Sequence, residues 1–267
     1  MQLALLGRSH SRAKHLHLPR RSGQPVLFFF VSTLFFTFPS LCLGQQDPGN
    51  LDVTLFRRIN DGRSEVLGKF VDMNNDLVLP LGVAVPVGFF SYGMFARSEY
   101  ETDTGLLTGL SEFVSFGLGY GLKKIVKRDR PYVALANVHS AGVETADPYS
   151  FPSGHAITAF ALATSLSLRY PKPAVYIPLH LWALFVAYGR VYLGVHYPSD
   201  VLVGGLMGSG TALVIHLFED DILGLKRRIL GDSGTGGSSG KGLSITFAPL
   251  RGGGVLQVTY HLSATSP

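Results

Sequence analysis

Gly189-Arg190-Val191-Tyr192-Leu193-Gly194-Val195-His196-Tyr197-Pro198-Ser199-Asp200 joins two apolar runs, at about 174–195 and 201–218. Each run is near the roughly 17–25 residues that carry a helix across a bilayer. Arg190 stands near a helix end in an otherwise apolar stretch, where a guanidinium without a counter-anion is expensive. His196 and Asp200 flank Pro198, a residue suited to the first turn of the next helix. The stretch reads as a polar corner between two membrane helices. A fixed anion would relieve the cost of Arg190. Taken alone, the histidine–carboxylate pair also suits a plain fastening of two helix ends.

Outward from this corner the apolar pattern repeats. Segments at about 77–96 and 104–126 have spanning length, and a fifth at 155–170 is shorter and less apolar. Pro80, Pro86 and Pro178 lie inside spans, where neighbouring helices tolerate them. Gly117/Gly121 and Gly204/Gly208 are small-residue pairs suited to close helix packing in lipid. The expected fold is all-α, a polytopic membrane helical bundle of about five core spans plus an N-terminal segment.

Four regions are expected. Residues 1–44 begin basic (Arg8, Arg12, Lys14, Arg20, Arg21) and turn apolar over 26–43, which is a signal sequence or a signal anchor. Cleavage after Gly44 and retention both stay open. Residues 45–76 are polar, with an amphipathic stretch at Leu55-Phe56-Arg57-Arg58-Ile59-Asn60, and are expected along the extracytoplasmic interface. Residues 77–220 form the bundle. Residues 221–267 hold a Gly/Ser linker at 231–242 and a hairpin-like alternation around Gly252-Gly253-Gly254. Gly240-Lys241-Gly242 fails as a phosphate loop, because Thr235 replaces the first glycine and Gly242 the serine or threonine.

Composition narrows the function classes. Hydrophobic residues make up 46% and charged residues 15% of the 267, against about 25% charged in soluble domains. The net charge of +5 comes without a basic stripe interleaved with aromatics, which argues against a nucleic-acid partner. The lone Cys42 excludes an intrachain disulfide and a cysteine zinc cluster.

Two further polar patches complete a constellation. One is Lys123-Lys124-Ile125-Val126-Lys127-Arg128-Asp129-Arg130-Pro131, and the other is Pro152-Ser153-Gly154-His155. A basic N-terminus stays in the cytoplasm. Counting spans from there puts Lys123 and Arg130, Ser153 and His155, and Arg190, His196 and Asp200 all at the outer face. Lys226-Arg227-Arg228 then falls inside, as the positive-inside bias requires. A phosphoryl group spreads negative charge over its oxygens, and its transfer depends on positioning and charge stabilisation. Arg130 and Arg190 supply forked donors and Lys123 a point charge. Ser153 and the free N–H groups of a helix start complete an anion cradle. His196 is the candidate nucleophile, with Asp200 fixing its tautomer, and His155 is the candidate proton donor to the leaving oxygen. No carboxylate cluster suits a magnesium ion, so no metal and no cofactor are expected.

The three patches together resemble the type 2 phosphatidic acid phosphatase (lipid phosphate phosphatase) superfamily. Its signature is Lys-x6-Arg-Pro, Pro-Ser-Gly-His and Ser-Arg-x5-His-x3-Asp. Here it falls on Lys123 to Arg130-Pro131, on Pro152 to His155, and on Gly189-Arg190, His196 and Asp200. Gly189 stands where serine is often found, which touches local hydrogen bonding only. The resemblance covers roughly residues 50–220. It implies a helical bundle of the lipid phosphate phosphatase and vanadium haloperoxidase type. It implies phosphate contacts from Lys123, Arg130, Ser153, Gly154 and Arg190. His155 would be the general acid, His196 the residue phosphorylated, and Asp200 its partner. The implied activity is hydrolysis of a phosphate or diphosphate ester on a lipid of a bacterial cell membrane, with the site facing the periplasm or outside. Candidate substrates are undecaprenyl diphosphate, phosphatidylglycerol phosphate, phosphatidic acid and lipid A phosphate. A vanadate-dependent haloperoxidase-like enzyme and a non-enzymatic lipid-binding scaffold are the alternatives. Neither the preferred head group nor the oligomeric state follows from the residues. Glu112, His180 and His216 are read as helix-pairing or snorkelling groups, and His139, Glu144 and Asp147 as members of a solvated loop.

Overall fold

The computed structural model describes residues 50–140, 147–230, 242–250 and 253–261. The expected signal or anchor segment, the Gly/Ser linker and Glu144 lie outside the described residues. The elements in order are α1 (Leu51–Asn60), α2 (Glu65–Ala96), α3 (Glu99–Val126), α4 (Pro131–Ala134), α5 (Gly154–Arg169), α6 (Pro173–Tyr192), α7 (Pro198–Leu217) and α8 (Glu219–Leu230), then β1 (Gly242–Leu250) and β2 (Gly253–His261).

Helices α2, α6 and α7 are each long and apolar enough to cross a membrane. Only 22% of the most apolar window of α2 is buried inside the protein, so most of that apolar surface needs lipid rather than water around it. Leu79, Val83, Val87, Phe113, Leu181, Leu184 and Leu202 face outward in the same way. This is the surface of a membrane protein. The 16-residue α5 is the inner helix, with Ala156, Ile157, Ala159, Ala161, Leu162 and Ala163 all buried. It packs against α3, α6 and α7, and less extensively against α2.

The expected boundary between residues 76 and 77 falls inside a helix, because α2 runs unbroken from Glu65 to Ala96. At 1.5 Å per residue these 32 residues reach about 48 Å, against a hydrocarbon core of ~30 Å. Two of the polar residues in the first half of α2 have partners elsewhere in the chain. Trp182 Nε1 donates to Asn74 Oδ1 at 2.8 Å, and Arg190 donates to Asn75 Oδ1. A half-buried amide with a partner costs little.

Close approach of α7 to α5 depends on glycine. A Cβ at Gly208 would stand 2.2 Å from the Ile157 carbonyl oxygen, and one at Gly204 2.7 Å from the Ser153 oxygen. Positions 117 and 121 behave otherwise, since a Cβ at either meets nothing within 4 Å. Gly119 is the α3 glycine that packs inward, its Cβ position lying 2.3 Å from Ile157 Cδ1. Gly208→Ala is therefore expected to destabilise by about 1–3 kcal/mol. Gly117→Ala should be neutral or stabilising by up to about 1 kcal/mol. Thermal melts of the two variants in one detergent, with shifts of opposite sign, check this.

After the bundle, β1 and β2 pair antiparallel, with Ile245 opposite Val258 and Leu250 opposite Gly253.

Candidate active site

The site lies where α3 and α6 end and α5 and α7 begin. Pro198 starts α7, and Asp200 folds back so that its Oδ2 accepts the Tyr197 N–H at 2.8 Å. This cap fixes a fully buried carboxylate beside His196, which is 2% exposed. His196 Nδ1 is 3.6 Å from Asp200 Oδ2, longer than a hydrogen bond, and has no other partner. Its Nε2 faces Arg130 Nη1 at 3.4 Å.

Lys123 and Arg130 are held by main-chain oxygens, and Arg190 by a side-chain amide. Arg130 donates from Nε and Nη2 to the Asp147 carbonyl at 3.0 and 2.9 Å, and from Nη1 to the Val195 carbonyl at 3.0 Å. Lys123, in the last turn of α3, donates to the Tyr149 carbonyl at 2.8 Å. Arg190 donates from Nη1 to Asn75 Oδ1, while its buried Nε has no partner. Ser153 caps α5 through its side chain, and its own N–H donates to the Asp200 carbonyl at 3.1 Å. Gly154 and His155 are the first two residues of α5.

Burial holds the His196 imidazole well below its ordinary pKa, and the charges of Arg190, Arg130 and Lys123, with His155 nearby, act in the same direction. The structure thus brings Lys123, Arg130, His155, Arg190 and His196 within electrostatic reach of one another, and ties Ser153 to Asp200. An unfolded histidine takes its proton near pH ~6.5, whereas the folded ring resists it until lower pH. That stabilisation is complete above this value and is lost as pH falls through it. Thermal stability of the anion-free protein should therefore drop between pH 7 and 5, by up to about 1.4 kcal/mol per pH unit from this group. Melts of His196→Asn should show a shallower slope; equal slopes would mean His196 is not held neutral.

Several residues that shape the site escaped the sequence reading. Arg128, 1% exposed, donates to Asp200 Oδ1 and Ser199 Oγ at 2.7 Å each and to Asp52 Oδ2 at 2.7 Å. In the sequence it is one more charge in a basic run, and nothing local marks it as the one that turns inward. Asn75 was passed over as interfacial. The loop before Pro152 is more than a solvated loop: besides the Asp147 carbonyl, the Asp147 carboxylate accepts from Tyr149 N at 2.8 Å and Lys124 Nζ at 3.1 Å. Over the opposite rim, Arg57 holds the carbonyls of Ala136 and Asn137, and Asn60 bonds both the carbonyl and the N–H of His139. Gly194 makes this contact possible. Its φ is +77°, and a Cβ there would lie 2.7 Å from the His139 oxygen. Of the residues read as helix-pairing groups, His216 has an acidic partner, whereas one carboxylate oxygen of Glu112 has none. Glu112 is buried against Gly82, and His216 Nδ1 is 3.0 Å from Glu219 Oε2.

An apolar groove of about 810 Å³ opens between α2 and α3, lined by Leu79, Val83, Val87, Phe90, Phe113 and Phe116. Phe116 reaches the site, its ring 3.7 Å from the Cβ position of Gly154.

The sequence profile of the PAP2 superfamily matches residues 103–222. An undecaprenyl-diphosphatase of Sulfolobus acidocaldarius is 35% identical over 192 residues, which cover 68% of this chain and 86% of that protein. The chain belongs to the PAP2 superfamily. Another similar protein is a decaprenylphosphoryl-5-phosphoribose phosphatase of Mycobacterium tuberculosis, 36% identical over 113 residues. That match covers 41% of this chain and 58% of the relative, so the chain spans little more than half of that protein's length. The crystal structure of a transmembrane PAP2 type phosphatidylglycerolphosphate phosphatase from Bacillus subtilis aligns with a TM-score of 0.56 at 26% identity. The alignment covers 75% of this chain and 98% of that one. The PAP2 match spans all three sequence patches, and hence every residue of the cradle described above.

Proposed function

We propose that this protein is a membrane phosphatase that hydrolyses the phosphate or diphosphate ester of a lipid through a phosphohistidine at His196. The observation that carries the reading is the burial of the His196 imidazole among Lys123, Arg130 and Arg190 beside the N-terminus of α5. Three fixed cations and free helix N–H groups suit one phosphoryl group, because they need no reorganisation as charge develops. His196 Nε2 attacks phosphorus as the ester oxygen leaves, and His155 gives that oxygen its proton. Asp200 steadies the imidazolium. Water then attacks the phosphohistidine, His155 takes the water's proton, and phosphate is released.

The apolar groove supports a substrate whose hydrocarbon stays in the bilayer while its phosphate reaches Gly154. The names of the relatives support polyprenyl or glycerophospholipid phosphates as the class. A cytoplasmic-membrane location with the site facing outward is part of the proposal. It is supported by the basic residues Lys226, Arg227 and Arg228 of α8 beyond the last span.

The test is phosphate release by the purified protein from undecaprenyl diphosphate, phosphatidylglycerol phosphate, phosphatidic acid and lipid A phosphate, in EDTA. Release from at least one is expected. Inactivity on the whole panel overturns the reading.

A further inference from the structure

Asp52 lies on α1, far from every residue of the cradle in sequence, yet its carboxylate is part of the polar network behind His196. Its Oδ2 accepts from Arg128 Nη2 at 2.7 Å and from Ser199 Oγ at 2.5 Å, and its Oδ1 from Ser199 N at 2.9 Å. Arg128 spans the gap, its other terminal nitrogen bonding Asp200 Oδ1 at 2.7 Å. The guanidinium also stacks 3.8 Å from the centre of the Tyr197 ring, which removes its freedom to turn away.

The charge arrangement explains why two carboxylates share one cation. With Asp200 and Arg128 alone, the guanidinium would cancel the negative charge that His196 faces. With both carboxylates ionised, the trio Asp52–Arg128–Asp200 keeps one net negative charge in a site otherwise lined by cations. Asp52 also divides the pull of Arg128, so Asp200 keeps its second oxygen on the Tyr197 N–H and toward His196 Nδ1. Such supporting partners behind a histidine ordinarily set its orientation and basicity.

We propose that Asp52 and Arg128 are positioning residues that act through Asp200 on His196, making α1 a working part of the site. The inference rests on the phosphohistidine reading above.

Full-length Asp52→Asn is the decisive variant, because Asp52 sits at the partly exposed rim of the network, at 15% side-chain exposure. Its kcat on a lipid phosphate that the wild type hydrolyses should fall at least about 10-fold. Phosphohistidine formation, followed by alkaline quench, should slow in step. KM, the affinity for vanadate as a phosphoryl mimic, and the melting temperature should stay near wild type, since the cradle is untouched. Arg128→Lys should lower the rate as well, because an ammonium cannot bond both carboxylates in one plane. Wild-type kcat in Asp52→Asn overturns the relay. So does a loss of kcat matched by equal losses in vanadate affinity and melting temperature, which marks a structural brace. If Arg128→Lys does not fold, Asp52→Asn alone decides. A wild-type protein that hydrolyses lipid phosphates without ever forming a phosphohistidine overturns the mechanism and the relay together.

Discussion

His196→Ala should abolish phosphate release from lipid substrates, lowering kcat by on the order of 10⁴-fold or more. The size of the loss follows from what the variant lacks. Without Nε2 no covalent intermediate forms, and water must attack the phosphate ester directly, with no nucleophile placed in line for the first step. The cradle itself stays, so vanadate should still bind with an affinity near that of the wild type. The checks are initial rates per folded protein, loss of phosphohistidine label, and vanadate titration. Retention of a tenth of the wild-type rate would move the nucleophile elsewhere, with His155 the first alternative.

Arg190 carries the second largest expected effect. Its Nη1 is held by Asn75 and its buried Nε is unpartnered, so the guanidinium is anchored at one corner with a donor left over. A phosphoryl oxygen is the natural acceptor for that donor, since burying an unpaired guanidinium N–H is otherwise costly. Arg190→Ala should lower kcat/KM by about 10³-fold. Arg190→Lys should recover little of this, remaining ~10²-fold down, because one ammonium cannot bond Asn75 and two phosphoryl oxygens in a plane. Unlike Asp52→Asn, both variants should also lose vanadate affinity, and a titration of the three side by side separates charge stabilisation from orientation. Full activity in Arg190→Lys would show that charge alone suffices there.

The cradle was legible in the sequence because phosphate chemistry restricts residue types and spacing together. Lys123, Arg130, Ser153, His155, Arg190, His196 and Asp200 stand out as polar groups at the ends of apolar runs, and alternation of the helices carries those ends to one side. Residues whose role depends on a distant partner were not legible. Asn74 and Asn75 look like a water-facing stretch until Trp182 and Arg190, more than 100 residues on, are seen to bond them. Arg128 is indistinguishable from its basic neighbours until Asp52 and Asp200 flank it. The glycines of α3 taught the same lesson in small. The 117/121 spacing fits a packing motif, but the phase of the helix turns Gly119 inward instead.

The clamp of α1 over the segment at 136–139 has a consequence for which of its side chains are free to change. Arg57 and Asn60 grip that segment by its peptide groups, and the fixed requirement is the bare backbone of Gly194 beneath it. The side chains of Ala136, Asn137 and His139 point to solvent and are not part of the grip. Substitutions at these three positions should therefore leave the frame behind them intact, at little cost in stability.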